Sequence, residues 1–280
     1  MDSLVSTEWL ADAIGDADLV VLDATYHLPG SGHDARADHQ AAHIPGARFF
    51  DIPALSDPAT DLPTMLPSAE AFAAGMEALG VGDGDRIVLY DSAAHHTAAR
   101  AWWMLQVFGA RHVALLDGGI ARWRAEGRAL ESGVVPPRTA RFAPRLNQKL
   151  VRDMAAMHAN VGSGAEQVLD ARSVGRFTGE EPDLRPHIPS GHIPGSRNLP
   201  YGGVFNPDGT WKRGDALRAA FEAAGIDLAK PVITTCGSGI TAAILAFGLH
   251  LLGKSDIALY DGSWTEWGAD PSMPKAAGAA

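Results

Sequence analysis

The feature that most constrains the fold of this chain is an internal repeat. The segment LVVLDATYH at 19–27 returns as QVLDARSVG at 167–175, and AHIPGARFF at 42–50 returns as GHIPGSRNL at 191–199. Two further pairs follow in the same order, RIVLYDSAAHHTAA with PVITTCGSGITAA and LLDGGIARW with LYDGSWTEW. Asp23 matches Asp170 at an offset of 147, and Trp123 matches Trp267 at an offset of 144. So regular an offset predicts a duplicated domain.

The two copies are separated by a segment with the composition of a linker. Residues 131–148, ESGVVPPRTARFAPRLNQ, contain three prolines and show no helical periodicity. We therefore expect one domain over 1–140, a second over 149–280, and an extended linker at about 133–148.

Each copy alternates strand-like and helix-like segments. Short β-branched runs such as VVLDA, RIVLY and PVITTC are followed by amphipathic segments such as AEAFAAGMEALG and DALRAAFEAAG. Such alternation predicts an α/β fold in which a mainly parallel sheet carries helices on both faces. Ligands of such folds bind at the carboxyl ends of the strands.

Composition limits the classes of partner. The formal net charge is -10 at pH 7, and so acidic a chain lacks the basic surface that nucleic acids require. No apolar run approaches the length of a membrane span, and the first residues lack the pattern of a secretory signal. A single cysteine excludes an intrachain disulfide, so we expect a cytoplasmic protein without a membrane partner.

That cysteine, Cys236, follows a strand-like run and precedes a helix-like one. Gly237 and Gly239 allow successive N–H groups to converge, and a helix N-terminus lies beside them. Both features stabilise an anion and so favour a nucleophilic thiolate, although a buried, inert cysteine fits the same residues. The first copy has Asp91 at this point and a loop one residue longer, which favours a reactive thiol in the second copy alone.

These residues together resemble the two-domain rhodanese-type sulfurtransferases, and among them the 3-mercaptopyruvate sulfurtransferases. The resemblance runs from VSTEWLADAI at 5–14 to YDGSWTEWG at 260–268, and CGSGIT at 236–241 is its most specific part. It implies two rhodanese-like domains, of which only the second is catalytic. It also implies that Cys236 takes a sulfane sulfur from mercaptopyruvate as a persulfide, releases pyruvate and passes the sulfur to a thiol or cyanide.

The resemblance assigns further residues to the site. Arg176 and Arg185, nine residues apart, match the two arginines that bind the substrate in the family. Arg172 is expected to be structural. The anionic persulfide would be held by the backbone N–H groups of the loop, Gly237, Ser238, Gly239, Ile240 and Thr241. With no second cysteine to resolve the persulfide, an external thiol such as thioredoxin or a small thiol is implied. No cofactor is expected.

Histidines invite a metal hypothesis, which the pattern does not favour. His39 and His43 have a helical spacing suited to a metal, but Pro45 and Gly46 follow at once. The HIPG histidines, His43 and His192, occur in both copies, which favours a structural role. We therefore expect no metal.

The chain departs from the family pattern at two positions. Familiar members carry an Asp after FFDI and a His before MLP, where this chain has Pro53 and Thr64. An acid–base relay from those groups to Ser238 therefore cannot be transferred to this chain, so either the relay is dispensable or the protein is slower or prefers another donor.

Three alternative functions would require other residues or other properties of the chain. A thiosulfate:cyanide sulfurtransferase would have basic residues in place of Gly237 and Ser238. A cysteine phosphatase would need an arginine at the position of Ala242. A non-catalytic sulfur-binding or scaffold protein conflicts with the intact cysteine loop, but agrees with the missing Asp and His.

Overall fold

The computed structural model describes residues 1–28, 30–185 and 187–279. Within these residues the chain divides into two compact units. Unit 1 comprises Met1–Ala59 and Leu66–Asn147, and unit 2 comprises Thr60–Met65 and Gln148–Ala280. The short segment 60–65, which the repeat placed in the first copy, therefore belongs to unit 2. Among the described residues, no helix combines the length and apolar character needed to cross a bilayer.

Unit 1 is built around a parallel sheet. The described residues form five strands, β1 (Leu4–Val5), β2 (Leu19–Asp23), β3 (Arg48–Phe49), β4 (Arg86–Tyr90) and β5 (His112–Leu116), in the order β1-β5-β4-β2-β3. Every pairing between them is parallel. The helices are α1 (Thr7–Ala13), α2 (Ala35–Ala41), α3 (Ala69–Ala78), α4 (Ala98–Val107) and α5 (Gly119–Ala125).

Unit 2 repeats this arrangement. Its described strands are β6 (Val151–Arg152), β7 (Gln167–Asp170), β8 (Arg197–Asn198), β9 (Val232–Thr235) and β10 (Ile257–Tyr260), in the matching order β6-β10-β9-β7-β8. All their pairings are parallel as well. The helices are α6 (Met154–Ser163), α7 (Val174–Thr178), α8 (Gly214–Ala223), α9 (Ala242–Leu251) and α10 (Ser263–Ala269), with short 3-10 turns at Gln148–Leu150 and Tyr201–Val204.

The residues explain why these elements form. Consecutive residues of β2, β4 and β9 are buried, which requires that both faces of each sheet be covered by helices. Several helices begin at a side chain that caps the first turn: Ser6 accepts from Trp9 N, and Asp153 accepts from Ala156 N. The predicted α/β fold with two mainly parallel sheets is confirmed.

The two matched loops lie at equivalent places in the sheets. The loop after β4 runs from Asp91 to Thr97, which precedes α4, and the loop after β9 runs from Cys236 to Thr241, which precedes α9. The first loop is one residue longer, as the alignment of the copies predicts. In each unit the loop follows the central strand of the sheet, where parallel sheets bind ligands.

Candidate active site

Cys236 lies at the carboxyl end of the central strand of unit 2. It is the first residue after β9 and is only 2% exposed. The chain then turns through Gly239, whose φ of 77° is in the left-handed region, and enters α9 after Thr241. A residue with a side chain would be strained at Gly239. The short turn therefore places the sulfur-bearing residue beside the N-terminus of a ten-residue, largely buried helix.

The first turn of α10 holds the carbonyl groups of this loop. Trp264 N donates to the Cys236 carbonyl oxygen at 2.9 Å. Thr265 donates twice to the Gly237 carbonyl oxygen, from its backbone N at 3.0 Å and from its Oγ1 at 2.5 Å. Three hydrogen bonds from two adjacent residues therefore fix two consecutive peptide groups of the loop.

A third carbonyl is held by Thr64, which belongs to unit 2. Its Oγ1 donates to the Ser238 carbonyl oxygen at 2.8 Å. Thr64 has a φ of 58°, a conformation that is rare and costly for a β-branched residue. The position where the family pattern has a histidine is thus occupied by a strained threonine that contacts the loop backbone.

Ser263 contacts the loop from the start of α10. Its Oγ donates to the Tyr260 carbonyl oxygen at 2.8 Å and accepts from Cys236 N at 3.4 Å. Its φ of 51° is again in the left-handed region. The residue is fully buried. A serine with a strained backbone therefore places its hydroxyl directly against the backbone of the cysteine.

These contacts orient the N–H groups of the loop. The described peptide bonds include no cis bond, and in a trans peptide the C=O and N–H groups point in opposite directions. The carbonyls of Cys236 and Gly237 are bound by α10, and that of Ser238 is bound by Thr64. The N–H groups of the same three peptides belong to Gly237, Ser238 and Gly239, and they therefore point away from α10 and Thr64. That these N–H groups bind an anion stays a prediction.

Arg185 is placed next to this loop. A Cβ atom on Gly237 would lie 3.8 Å from Arg185 Nη1. Arg185 N donates to Asp183 Oδ1 at 3.0 Å, and Asp183 is buried with its Oδ1 3.8 Å from the guanidinium. The carboxylate therefore orients a half-buried cation beside the cysteine loop.

Arg176 makes its contact nearer to its own backbone. It lies on α7, and its Nε is 3.4 Å from Ser173 Oγ at the start of the same helix. Its role in substrate binding stays a prediction, as does that of Arg185.

The structural role expected for Arg172 is confirmed. This fully buried guanidinium forms a bidentate ion pair with Asp170, whose Oδ2 is 2.6 Å from Nη2 and 3.0 Å from Nε. Nη2 also donates to the Gly191 carbonyl oxygen at 2.7 Å. The guanidinium lies 4.7 Å from the ring centre of Trp264, so the ion pair supports the helix that holds the cysteine loop.

The HIPG histidines are structural as well. The Nδ1 atom of His43 lies 2.7 Å from the His39 carbonyl oxygen, and that of His192 lies 2.8 Å from the Phe177 carbonyl oxygen. Both rings are buried. His39 Nδ1 lies 2.9 Å from Asp23 Oδ2, so these side chains are engaged within their own units.

Comparison with known proteins agrees with this geometry. The family described as "Rhodanese-like domain" matches residues 6–126 and 153–270. The chain belongs to the rhodanese-like family. Its two matched stretches contain the described strands of the two sheets except β1 and β6, which immediately precede them. We refer to them as the first and second rhodanese-like domains.

The relatives of this rhodanese-like chain are sulfurtransferases. It is 40% identical to thiosulfate/3-mercaptopyruvate sulfurtransferase 1 of Arabidopsis thaliana, over 98% of this chain and 78% of that protein. It is 41% identical to human 3-mercaptopyruvate sulfurtransferase, over 95% and 91%. The crystal structure of SseA, a 3-mercaptopyruvate sulfotransferase from Escherichia coli, matches with a TM-score of 0.86 at 37% identity and covers 94% of this chain and 99% of that one.

The first rhodanese-like domain shows what replaces the thiol. Asp91 Oδ2 accepts a hydrogen bond at 2.8 Å from Ala98 N, the first residue of α4. Burial raises the pKa of Asp91 to about 7, the negative charge of Asp23 adds to the rise, and hydrogen bonds from the Ala98 and Ala93 backbone oppose it. In this domain a carboxyl group of the protein itself therefore occupies the helix N-terminus.

The sequence interpretation overlooked Ser263 and Thr265, although the repeat contains a signal for them. The segment DGSWT at 261–265 matches DGGIA at 117–121, so both hydroxyl residues are present only in the copy with the thiol. Gly119 has a φ of 56°, close to that of Ser263. The backbone bond is shared, since Ile120 N donates to the Asp91 carbonyl oxygen at 3.3 Å, whereas the side-chain contacts are specific to the second domain.

Proposed function

We propose that this chain transfers sulfane sulfur from 3-mercaptopyruvate to a thiol or to cyanide through a persulfide on Cys236. The Cys236 thiolate attacks the substrate sulfur, forming an S–S bond as the carbon–sulfur bond breaks. The electron pair of that bond leaves with carbon as pyruvate enolate, which takes a proton to give pyruvate. A thiolate or cyanide then attacks the outer sulfur, and the Cys236 thiolate is regenerated.

The observation that carries this proposal is the binding of three successive loop carbonyls by Trp264, Thr265 and Thr64. Because those carbonyls are bound, the N–H groups of Gly237, Ser238 and Gly239 point away from Trp264, Thr265 and Thr64, which supports a role for them in binding an anion. A persulfide is anionic, and donors fixed before the reaction stabilise developing charge without reorganisation. Gly237, Ser238, Gly239, Ile240 and Thr241 supply these donors in the proposed reaction.

The donor is proposed from the charge around the loop. Mercaptopyruvate has a carboxylate beside a ketone, and a guanidinium binds a carboxylate in bidentate fashion. Arg185 beside Gly237 suits this role, and Arg176 is its proposed partner. The thiosulfate dianion would favour further cationic side chains in the loop itself, where Gly237 and Ser238 are neutral.

The acceptor is proposed to be an external thiol, such as thioredoxin or a small thiol, or cyanide. The sequence contains no second cysteine that could resolve the persulfide. A reducing compartment would keep both Cys236 and the acceptor as thiols, which favours the cytoplasm as the location.

Product analysis with the two donors tests this function. We expect pyruvate release from mercaptopyruvate to exceed sulfite release from thiosulfate at equal donor concentration, with cyanide as acceptor in both assays. Cys236→Ser should release neither product nor form thiocyanate. Dominant sulfite release would assign the protein to thiosulfate instead, and a wild type inert with both donors would favour a non-catalytic sulfur-binding role.

A further inference from the structure

The first rhodanese-like domain contains a cavity that sulfur transfer at Cys236 does not use. It has a volume of about 580 Å³ and lies at the carboxyl end of β2, the usual ligand position in a parallel sheet. Its lining includes His27, His33 and Asp38. His27 and His33 lie in the loop between β2 and α2, and Asp38 lies on α2.

The ligand atoms of these three side chains converge. One nitrogen of each imidazole and one carboxylate oxygen of Asp38 all lie within 4.8 Å of one another. His27 Nε2 is 3.4 Å from Asp38 Oδ2, and the two imidazole rings are 4.9 Å apart between centres. Two ligand atoms about 2.1 Å from a tetrahedral metal lie about 3.4 Å apart, so the His27–Asp38 distance already matches such a site.

The surroundings of His27 Nε2 also favour a ligand. Its Nε2 atom is buried, and among the described residues its 3.4 Å contact with Asp38 Oδ2 lacks the geometry of a hydrogen bond. The side chain is 15% exposed, whereas that of Asp38 is 53% exposed. A buried polar atom without a hydrogen bond is costly, and a metal ion between His27, Asp38 and His33 would satisfy it.

Neighbouring polar groups of the cavity have other partners. His39 Nδ1 contacts Asp23, and Thr25 donates to the other oxygen of that carboxylate at 2.5 Å. Arg124, a cation on the wall, donates to the Ala42 carbonyl oxygen. The prediction of no metal was argued from His39 and His43, which are engaged in this way, whereas the converging ligands come from different residues.

We propose that His27, His33 and Asp38 bind a divalent transition-metal ion of the Zn²⁺ type. Two imidazole nitrogens and one carboxylate suit zinc and its neighbours in the first row, whereas Mg²⁺ and Ca²⁺ prefer oxygen ligands. Three protein ligands leave the fourth position open toward the cavity, where water or a small ligand can bind. His33 and Asp38 are exposed, so their side chains can make the shift of up to about 1.4 Å that brings ligand atoms 4.8 Å apart to the spacing of a tetrahedral site.

Cobalt is a suitable probe because tetrahedral Co²⁺ absorbs visible light. We would titrate tag-free, chelator-treated Cys236→Ser protein with Co²⁺, so that the thiol cannot act as a ligand, and then displace the cobalt with Zn²⁺. We expect one equivalent of Co²⁺ to bind with a tetrahedral spectrum and Zn²⁺ to abolish that spectrum. His33→Ala and Asp38→Asn in the same background should each weaken binding about tenfold or more.

His112→Ala is the matched control, since His112 is an exposed histidine of the same domain outside the cavity. It should bind Co²⁺ as the parent protein does. His33→Ala with Cys236 intact should also keep its sulfur-transfer rate, because the residue lies outside the proposed catalytic loop. A parent protein that binds no stoichiometric Co²⁺ would overturn the metal site, as would His33→Ala and Asp38→Asn variants that bind Co²⁺ as tightly as the parent. Either result would leave the proposed sulfur transfer untouched.

Discussion

Thr265 Oγ1 donates to the carbonyl oxygen of Gly237 at 2.5 Å, and the backbone N of Thr265 donates to the same oxygen at 3.0 Å. Thr265 therefore supplies two hydrogen bonds to the carbonyl oxygen of the residue that follows Cys236. The side-chain bond is absent from the first rhodanese-like domain, where the matching residue is Ala121. This contact links the helix after β10 to the geometry of the loop after β9.

Removing only this hydroxyl should slow sulfur transfer. Thr265→Val keeps the side-chain shape and loses the bond, and a hydrogen bond of this kind contributes about 1 kcal/mol. If the bond acts by orienting the loop, we expect kcat to fall by about fivefold and KM to change little. Thr265→Ser should restore most of the rate in steady-state pyruvate assays. A Val variant with wild-type kcat would show that the backbone N–H suffices.

Two substitutions of Ser263 separate the effect of its backbone strain on stability from the effect of its hydroxyl on activity. At its φ of 51°, glycine is favoured over alanine by about 1 kcal/mol. Ser263→Gly should therefore be more stable than Ser263→Ala in urea unfolding by about that amount. Both variants lose the hydroxyl beside Cys236 N and should lose activity alike. If Ser263→Ala kept full turnover, the hydroxyl would have no part in positioning the cysteine.

Arg185 should affect substrate binding more than the chemical step. Arg185→Gln removes the guanidinium beside Gly237, and we expect KM for mercaptopyruvate to rise about tenfold, the equivalent of about 1.4 kcal/mol. Arg218→Gln, on the exposed face of α8, is the matched control and should behave as wild type. Arg176→Gln should resemble Arg185→Gln if both arginines bind the substrate. An unchanged KM in Arg185→Gln would remove Arg185 from the binding site.

Asp91 should make stability depend on pH. Its pKa is raised by burial to about 7 in the folded state, against about 3.9 in an unfolded chain. The folded protein therefore retains the Asp91 proton to higher pH than the unfolded chain does. The contribution of this proton to the free energy of unfolding is complete below about pH 4 and is lost as the pH rises through 7.

Asp91→Asn removes that titration and keeps an oxygen acceptor for Ala98 N. We expect the free energy of unfolding of the variant, minus that of wild type, to be about 2 kcal/mol larger at pH 8 than at pH 5. Urea unfolding at the two pH values measures this gain. Asp12→Asn, an exposed carboxylate on α1, should show no such trend, and an equal trend in both variants would contradict the assignment to Asp91.

Much of the architecture could be predicted because the two copies of the repeat can be aligned with each other. Matched strands such as β2 and β7 fixed the α/β fold, and the alignment of Asp91 with Cys236 located the longer loop in the first copy. The structural role of the HIPG histidines also followed, because both copies have them, and that of Arg172 followed from the resemblance, which assigns the substrate to Arg176 and Arg185.

Other parts of the site depend on contacts between residues far apart in the sequence. Thr64 was recognised only as the absence of a family histidine, because nothing local to LPTMLP indicates a bond to Ser238 or a φ of 58°. The convergence of His27, His33 and Asp38 brings side chains of the loop after β2 to a residue of α2. Spacing along the chain does not encode that convergence, and a helical spacing directed attention to His39 and His43 instead.

The shared backbone conformation of Gly119 and Ser263 has a consequence for protein engineering. A tandem duplication supplies an internal comparison, since at this position the first domain has glycine, the residue that such a backbone favours. In the second domain a serine hydroxyl beside Cys236 N replaces that glycine at the expense of backbone strain. We therefore expect that stabilising the protein by copying Gly119 into position 263 would lower its activity.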